Sequence, residues 1–98
     1  MKISEITTEH LINYLRLIPE ELSEQEIDEL NTFLDSAKEF IYSYTGLSAE
    51  ECESYEDFTI AIYVLVQDMY DNRSYYVDRS NINKVVSTIL GMHAKNLI

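Results

Sequence analysis

The scarcity of glycine and proline is the feature that most limits what this chain can fold into. The sequence of 98 residues contains two glycines, Gly46 and Gly91, and one proline, Pro19. A β-rich fold of this length needs a turn every ~8–12 residues, and such turns are usually marked by Gly, Pro, Asn or Asp. Helices joined by short loops need far fewer of these residues. The sequence therefore predicts an all-α fold, a small four-helix bundle of the up-down type.

The first two helices are predicted from capping residues and apolar spacing. Residues 8–17 form the first helix, capped by Thr7 or Thr8 and ended by Pro19, with Leu11, Leu15 and Ile18 on one face. The second and longest helix begins at a capping box of Ser23 and Glu26 and ends at Gly46, a left-handed C-cap. Its apolar residues recur at spacings of three and four. They are Ile27, Leu30, Leu34, Ala37, Ile41 and Tyr44, and the acidic Glu24, Asp28, Asp35 and Glu39 fall outside this stripe.

Residues 56–70 form the third predicted helix. Their β-branched side chains would suit a buried strand, but the apolar pattern continues for more than 12 residues without a turn or a partner strand. We therefore predict a central helix that is packed on several sides and ends at Asp71-Asn72-Arg73. Residues 74–80 are expected to form a polar loop. The fourth helix extends from Asn83 through Leu90, Gly91 ends or bends it, and residues 92–98 form a tail. The whole chain, residues 1–98, is read as one domain.

Net charge excludes two classes of function. Seven Lys and Arg residues against 18 Asp and Glu residues give a formal charge of −11. This balance disfavours a nucleic-acid binder with a basic surface and a protein that adheres to anionic membranes. The longest unbroken apolar run has seven residues, against about 20 for a membrane-spanning helix. The acid is concentrated in residues 1–57, which contain 15 acidic and three basic residues, whereas residues 58–98 contain three acidic and four basic residues.

Residues able to catalyse a reaction or bind a metal are sparse. His10 and His93 have no second ligand at metal-binding spacing. Cys52 is flanked by glutamates, whose charges raise a thiol pKa and disfavour a nucleophilic thiolate. The acidic residues of the 48–57 segment are interpreted as a solvated loop. We therefore predict no enzyme activity, no metal site and no cofactor.

Tyrosines and the C-terminus point instead to contacts with other proteins. Eight tyrosines are many for this length, and tyrosine suits interfaces because its ring and hydroxyl group can both form contacts. Tyr63 and Tyr70 lie seven positions apart and are expected in the core. Tyr75 and Tyr76 fall in the polar loop and are candidates for an interface, as is the apolar end formed by Leu97 and Ile98.

Several segments in order resemble the small head–tail connector (adaptor) proteins of long-tailed bacteriophages and prophages, sometimes described as DNA-packaging proteins. The segments are a helix end, AKEFIYSYTG at 37–46, a central helix at 60–69, the stop YDNR at 70–73, and a final helix with NKVV at 83–86 and ILGMH at 89–93. The resemblance covers residues 5–93. It implies an all-α subunit that forms a ring, with 12 copies in the virion, assembled in the bacterial cytoplasm beneath the portal protein.

Partners and site residues are also implied by the resemblance. The ring extends a channel through which genomic DNA passes without specific binding, and it docks a downstream head completion or tail protein; no membrane is involved. The motif Tyr70-Asp71-Asn72-Arg73 is expected to support contacts between the loop and a subunit, and the tail from Met92 to Ile98 is expected to reach the portal. Within the ring that the resemblance implies, the uneven charge leads us to expect acidic residues of the first 57 to line the channel or to meet Arg73, Arg79 and Lys84 of the next subunit. The alternative function is a small acidic mimic of DNA that inhibits a basic host protein.

Overall fold

The chain is built from α-helices. The computed structural model describes residues 1–72 and 82–94. Within these residues it forms α1 (Thr8–Leu15), α2 (Glu24–Thr45), α3 (Ala49–Cys52), α4 (Asp57–Asn72) and α5 (Lys84–His93), with short 3-10 turns at Ile3–Glu5 and Pro19–Glu21. No β-strand occurs in the part that is described, so the predicted all-helical class is confirmed there.

The predicted caps set the beginnings of α1 and α2. The Thr7 side chain accepts a hydrogen bond from the backbone N–H of His10, and the His10 ring accepts one from the Thr7 backbone at 3.0 Å. Ser23 caps α2 by accepting from the Glu26 backbone at 3.2 Å. The Glu26 carboxylate accepts from the Ser23 hydroxyl group rather than from its backbone N–H. Gly46 ends α2 in the left-handed region, with φ of 71°, as predicted.

The end of α1 differs from the prediction. The helix ends at Leu15 because Arg16 adopts a left-handed conformation, with φ of 58°. Pro19 therefore begins a 3-10 turn instead of ending α1. Ile18, predicted to share the apolar face of this helix, lies beyond it and is 54% exposed.

The segment predicted as a solvated loop contains the short helix α3. Ser48 and Glu51 form a reciprocal capping box, in which each side chain accepts from the other residue's backbone N–H. This pair satisfies two backbone donors that a helix otherwise leaves open at its N-terminus. Glu50 and Glu51 are exposed as expected, but Cys52 is fully buried and anchors the turn to the core.

Gly91 does not end the last helix. It lies inside α5, which continues to His93, so Met92 and His93 belong to the helix and not to the predicted tail. The glycine is exposed, and a methyl group added at its Cα would meet no heavy atom within 4 Å. No packing contact therefore requires glycine at this position.

The prediction of a central helix is confirmed by α4. It packs against α1, α2 and α5 and also contacts the first 3-10 turn. Its buried side chains are Phe58, Thr59, Ala61, Ile62, Leu65, Val66 and Met69. They meet Phe33 and Ile41 of α2 and Val86 and Leu90 of α5 in one apolar core. The predicted core residues Tyr63 and Tyr70 are half-buried and pack against the edge of this core.

Alanine in place of each glycine is predicted to have opposite effects. Gly46→Ala places a side chain at positive φ and should lower the free energy of unfolding by about 1 kcal/mol. Gly91→Ala removes a flexible residue from a helix interior without a clash and should raise it by about 0.5–1 kcal/mol. Urea unfolding of both variants and the parent chain measures the two shifts. Two shifts of the same sign would contradict the helical assignment of Gly91.

Candidate interaction surface

The first three residues of the predicted helix-end motif, Tyr70, Asp71 and Asn72, lie in the last turn of α4. Tyr70 is half-buried, whereas Asp71 and Asn72 are exposed. The Asn72 side-chain amide donates a hydrogen bond to the backbone carbonyl of Asp68 at 2.8 Å. Partial burial, and secondarily the charge of Asp71, raises the pKa of Asp68. This turn therefore combines one packed aromatic ring with an exposed, acidic end.

Six of the predicted interface residues lie outside the described residues. They are Arg73, Tyr75, Tyr76, Arg79, Leu97 and Ile98. Their roles stay predictions. The other predicted positions, including Lys84 and Met92, are placed by the structure.

An exposed apolar stripe runs along α5. Val85 and Met92 are 50% and 65% exposed. They lie seven positions apart, which places them on the same side of a helix. Lys84 is exposed at the first position of the helix. We call Val85 and Met92, with Lys84 at their N-terminal end, the α5 stripe.

A second apolar surface lies where the N-terminus and α1 meet α4. The rings of Tyr14 and Tyr63 are stacked, with centroids 4.7 Å apart and an angle of 7° between their planes. The Thr59 hydroxyl group donates to the Met1 backbone carbonyl at 2.8 Å. Ile60, 52% exposed, lies between these two contacts along α4. We call Met1, Tyr14, Ile60 and Tyr63 the α4 patch.

Sequence reasoning missed the α4 patch because it treated the whole third helix as apolar all round. Ile60 is directly opposite the buried face that contains Phe58, Ile62 and Leu65. The position of Ile60 in the helical period was a signal for this. The stacking of Tyr14 on Tyr63 depends on the angle between α1 and α4, and the sequence contains no signal for that angle.

The side of α4 facing away from the α4 patch is held to α5 by a histidine cluster. His93 donates from Nε2 to Asp57 Oδ2 at 3.0 Å. Its ring stacks on Tyr55, with centroids 4.0 Å apart, and meets Phe58 edge-on at 5.4 Å. These contacts join the end of α5 to the beginning of α4 and to the preceding loop. Both histidines thus make contacts within the fold, since His10 belongs to the α1 cap.

Cys52, the last residue of α3, is fully buried. Its pKa is raised first by burial and then by the charges of Glu51 and Glu53, while a hydrogen bond with Thr45 acts in the opposite direction. The predicted influence of the glutamates therefore has the right sign, and burial is the larger cause. Thr45 itself is fully buried and satisfied, because its hydroxyl group donates to the Ile41 carbonyl at 2.7 Å and accepts from the Leu47 backbone.

The exposed side of α2 is acidic. Glu24, Asp28, Asp35 and Glu39 are solvent-exposed, as their positions outside the apolar stripe predict. A shallow depression at the start of the helix is lined by Ser23, Gln25, Glu26 and Glu29. This long acidic side contains no large exposed apolar residue, in contrast to α4 and α5.

Among residues 1–72 and 82–94, no group of three or more His, Cys, Asp or Glu side chains is arranged to hold a metal ion. In the same part of the chain, every buried side-chain nitrogen or oxygen atom has a hydrogen-bond partner. None of the described helices is both long and apolar enough to cross a bilayer. The features that stand out on the described surface are therefore two apolar surfaces and one acidic helix.

Comparison with protein-family models, curated proteins and solved structures found no match to this chain. The resemblance to phage connectors, based on the motifs in the sequence, stays a prediction.

The histidine cluster yields a prediction about stability. His93→Ala removes a hydrogen bond and an aromatic stack and should lower the free energy of unfolding by about 1–2 kcal/mol. The neighbouring Met92→Ala is the matched control, because Met92 is mostly exposed. This substitution should change the free energy of unfolding by less than about 0.5 kcal/mol. Chemical unfolding measures both. Equal losses in the two variants would show that the cluster contributes nothing specific.

The buried thiol yields a prediction about reactivity. In the folded protein, Cys52 should react with a disulfide reagent such as Ellman's reagent at least about 100-fold more slowly than in concentrated urea, because it is buried and its pKa is raised. The release of thiolate is followed by absorbance. Equal rates in the folded and unfolded protein would contradict the placement of α3.

Proposed function

We propose that this protein is a structural subunit of the head–tail junction of a bacteriophage or prophage. In this role it forms a ring beneath the portal, extends the DNA channel and docks the next head completion or tail protein, without catalysing a reaction. The observation that supports the proposal most is the presence of two exposed apolar surfaces, the α4 patch and the α5 stripe, on different flanks of the central helix.

Two different surfaces are what a ring subunit needs. A head-to-tail contact joins one surface of a subunit to another surface of the next, and it closes into a ring when the rotation allows. A protein that acts as a monomer rarely keeps large apolar side chains exposed in groups. In the proposed subunit, α1, α2, α4 and α5 are the four helices of an up-down bundle in a single domain. A C-terminal tail beyond α5 reaches the portal.

The acidic side of α2 suits the wall of a DNA channel. Like charge prevents a duplex from adhering to the wall, so DNA passes through the channel without being gripped. In this arrangement α2 faces the lumen, and the α4 patch and the α5 stripe face neighbouring copies. The ring is proposed to have 12 copies in the virion, at the capsid vertex that holds the portal.

A second candidate function is supported by the same acidic helix. A row of exposed carboxylates on a small domain can imitate the phosphates of DNA and occupy the basic cleft of a host protein. Such an inhibitor uses α2 as its binding surface and has no need of the α4 patch or the α5 stripe. Charge-removing substitutions on α2 would abolish inhibition, whereas substitutions on the apolar surfaces would leave it intact.

Binding to a portal ring tests the connector proposal. The protein is mixed with the purified portal protein encoded in the same genome and examined by electron microscopy and co-sedimentation. We expect a ring of additional density on one end of the portal. The matched genetic experiment deletes the gene, and we expect DNA-filled heads without tails, or heads that lose their DNA. Particles that lack the protein yet join tails and retain DNA would overturn the proposal.

A further inference from the structure

We propose that the α5 stripe of one copy docks on the α4 patch of a second copy. The inference deepens the proposed function, since it rests on the assembly of identical subunits and names the two surfaces that meet. The contact is a property of the purified protein, so it can be tested apart from the portal.

The exposure of the two surfaces is the first step. Ile60, Val85 and Met92 each leave half or more of their side chain in solvent, although apolar partners surround α4 and α5 on their other sides. Tyr14 is also exposed and offers a flat ring already ordered by its stack on Tyr63. A rigid aromatic ring loses little conformational freedom when a partner covers it, and aromatic residues are enriched in the centres of interfaces.

The positions of the surfaces are the second step. The contacts of α4 with Met1 and Tyr14 are made by Thr59 and Tyr63, whereas its contacts with His93 are made by Asp57 and Phe58. On a helix with 100° between successive residues these two sets lie on different flanks. The end of α5 and the pair of Met1 and Tyr14 therefore pack on different flanks of α4. The two surfaces share no residue, so one copy can offer both to its neighbours. A contact of this kind is head-to-tail and continues from copy to copy.

Charge complementarity is the third step. It favours a second copy of this chain as the partner that binds the α4 patch. Of the described helices, α5 alone contains no aspartate or glutamate, and Lys84 is exposed at its first position. The outer side of α4 has Glu56 just before the helix and Asp71 in its last turn, with Ile60 between them, and all three are exposed. Two copies with a net charge of −11 repel each other, so the surface that approaches an acidic neighbour most easily is one without carboxylates.

Complementary substitutions test the contact directly. Ile60→Glu adds a charge to the α4 patch, and Val85→Glu adds one to the α5 stripe; both positions are exposed, so folding should be preserved, as circular dichroism would verify. Ser43→Glu, on the exposed side of α2, is the matched control for added charge. Self-association is measured by analytical ultracentrifugation up to millimolar concentration. We expect each patch variant to weaken it at least about tenfold, and the control to retain it.

Mixing the two variants gives the decisive result. The Ile60→Glu copy keeps an intact α5 stripe, and the Val85→Glu copy keeps an intact α4 patch. We therefore expect the mixture to form a 1:1 heterodimer that grows no further, although each variant alone stays monomeric. Self-association of either variant at the parental strength would overturn the proposal, because the contact would then join like surfaces. Absence of association in the parent protein, or of heterodimer in the mixture, would also overturn it.

Two further measurements separate this inference from its alternatives. A chain ending at Ala94 should associate as the full chain does, and loss of association after the truncation would overturn the proposal, because the contact would then depend on residues beyond Ala94. If the parent protein binds the portal ring while the mixture forms no heterodimer, the proposed contact is wrong and the connector function stands. If the heterodimer forms and the portal is not bound, the contact stands and the connector function is wrong.

Discussion

The burial of α4 is the constraint on which the rest of the structure depends. Its apolar side chains cover far more than one face, so a single partner helix cannot remove them from water. α2 packs along the face with the most contacts, and α1 and α5 cover the two flanks. This arrangement leaves one side of α4 open, and Ile60 lies there because no fourth helix of the described chain covers it. The exposed apolar surface is thus a direct consequence of how the core is formed.

The division of charge follows from the same packing. α2 buries one stripe against α4, and six of the 18 acidic residues lie on this helix, which has no large exposed apolar residue. α5 packs through Val86, Ile89 and Leu90 and contains no acidic residue, so its exposed side can approach another copy without strong repulsion. On α5, exposed apolar residues therefore occur without acidic charge, whereas Ile60 of α4 has exposed acids before and after it, and this difference favours a defined contact over general aggregation.

Local signals in the sequence predict the helices well, and they fail where a contact between distant segments decides the outcome. Ser23, Gly46 and the apolar period between them define α2 because each acts within a few residues of its own position. By contrast, Arg16 adopts a left-handed backbone conformation, which its residue type does not predict. The stack of His93 on Tyr55 joins residues that are far apart in the chain, and a local sequence pattern cannot predict such a contact. For the same reason, the helical period of α4 places Ile60 opposite the buried face, but it contains no information on the stack of Tyr14 on Tyr63.

Association between copies is expected to be weak, because the apolar surfaces are small and the net charge is high. A stable interface usually buries ~800 Å² of surface per partner. The α5 stripe and the α4 patch contain few large side chains, so the area that they can bury is smaller. Repulsion between copies at a charge of −11 opposes the contact further, and it acts over about 10 Å at moderate ionic strength, whereas apolar contact acts only at the surface. A template that holds several copies side by side supplies a high effective concentration and removes most of this penalty. Surfaces of this strength therefore suit copies that are dispersed at low concentration and associate when they are concentrated or held side by side.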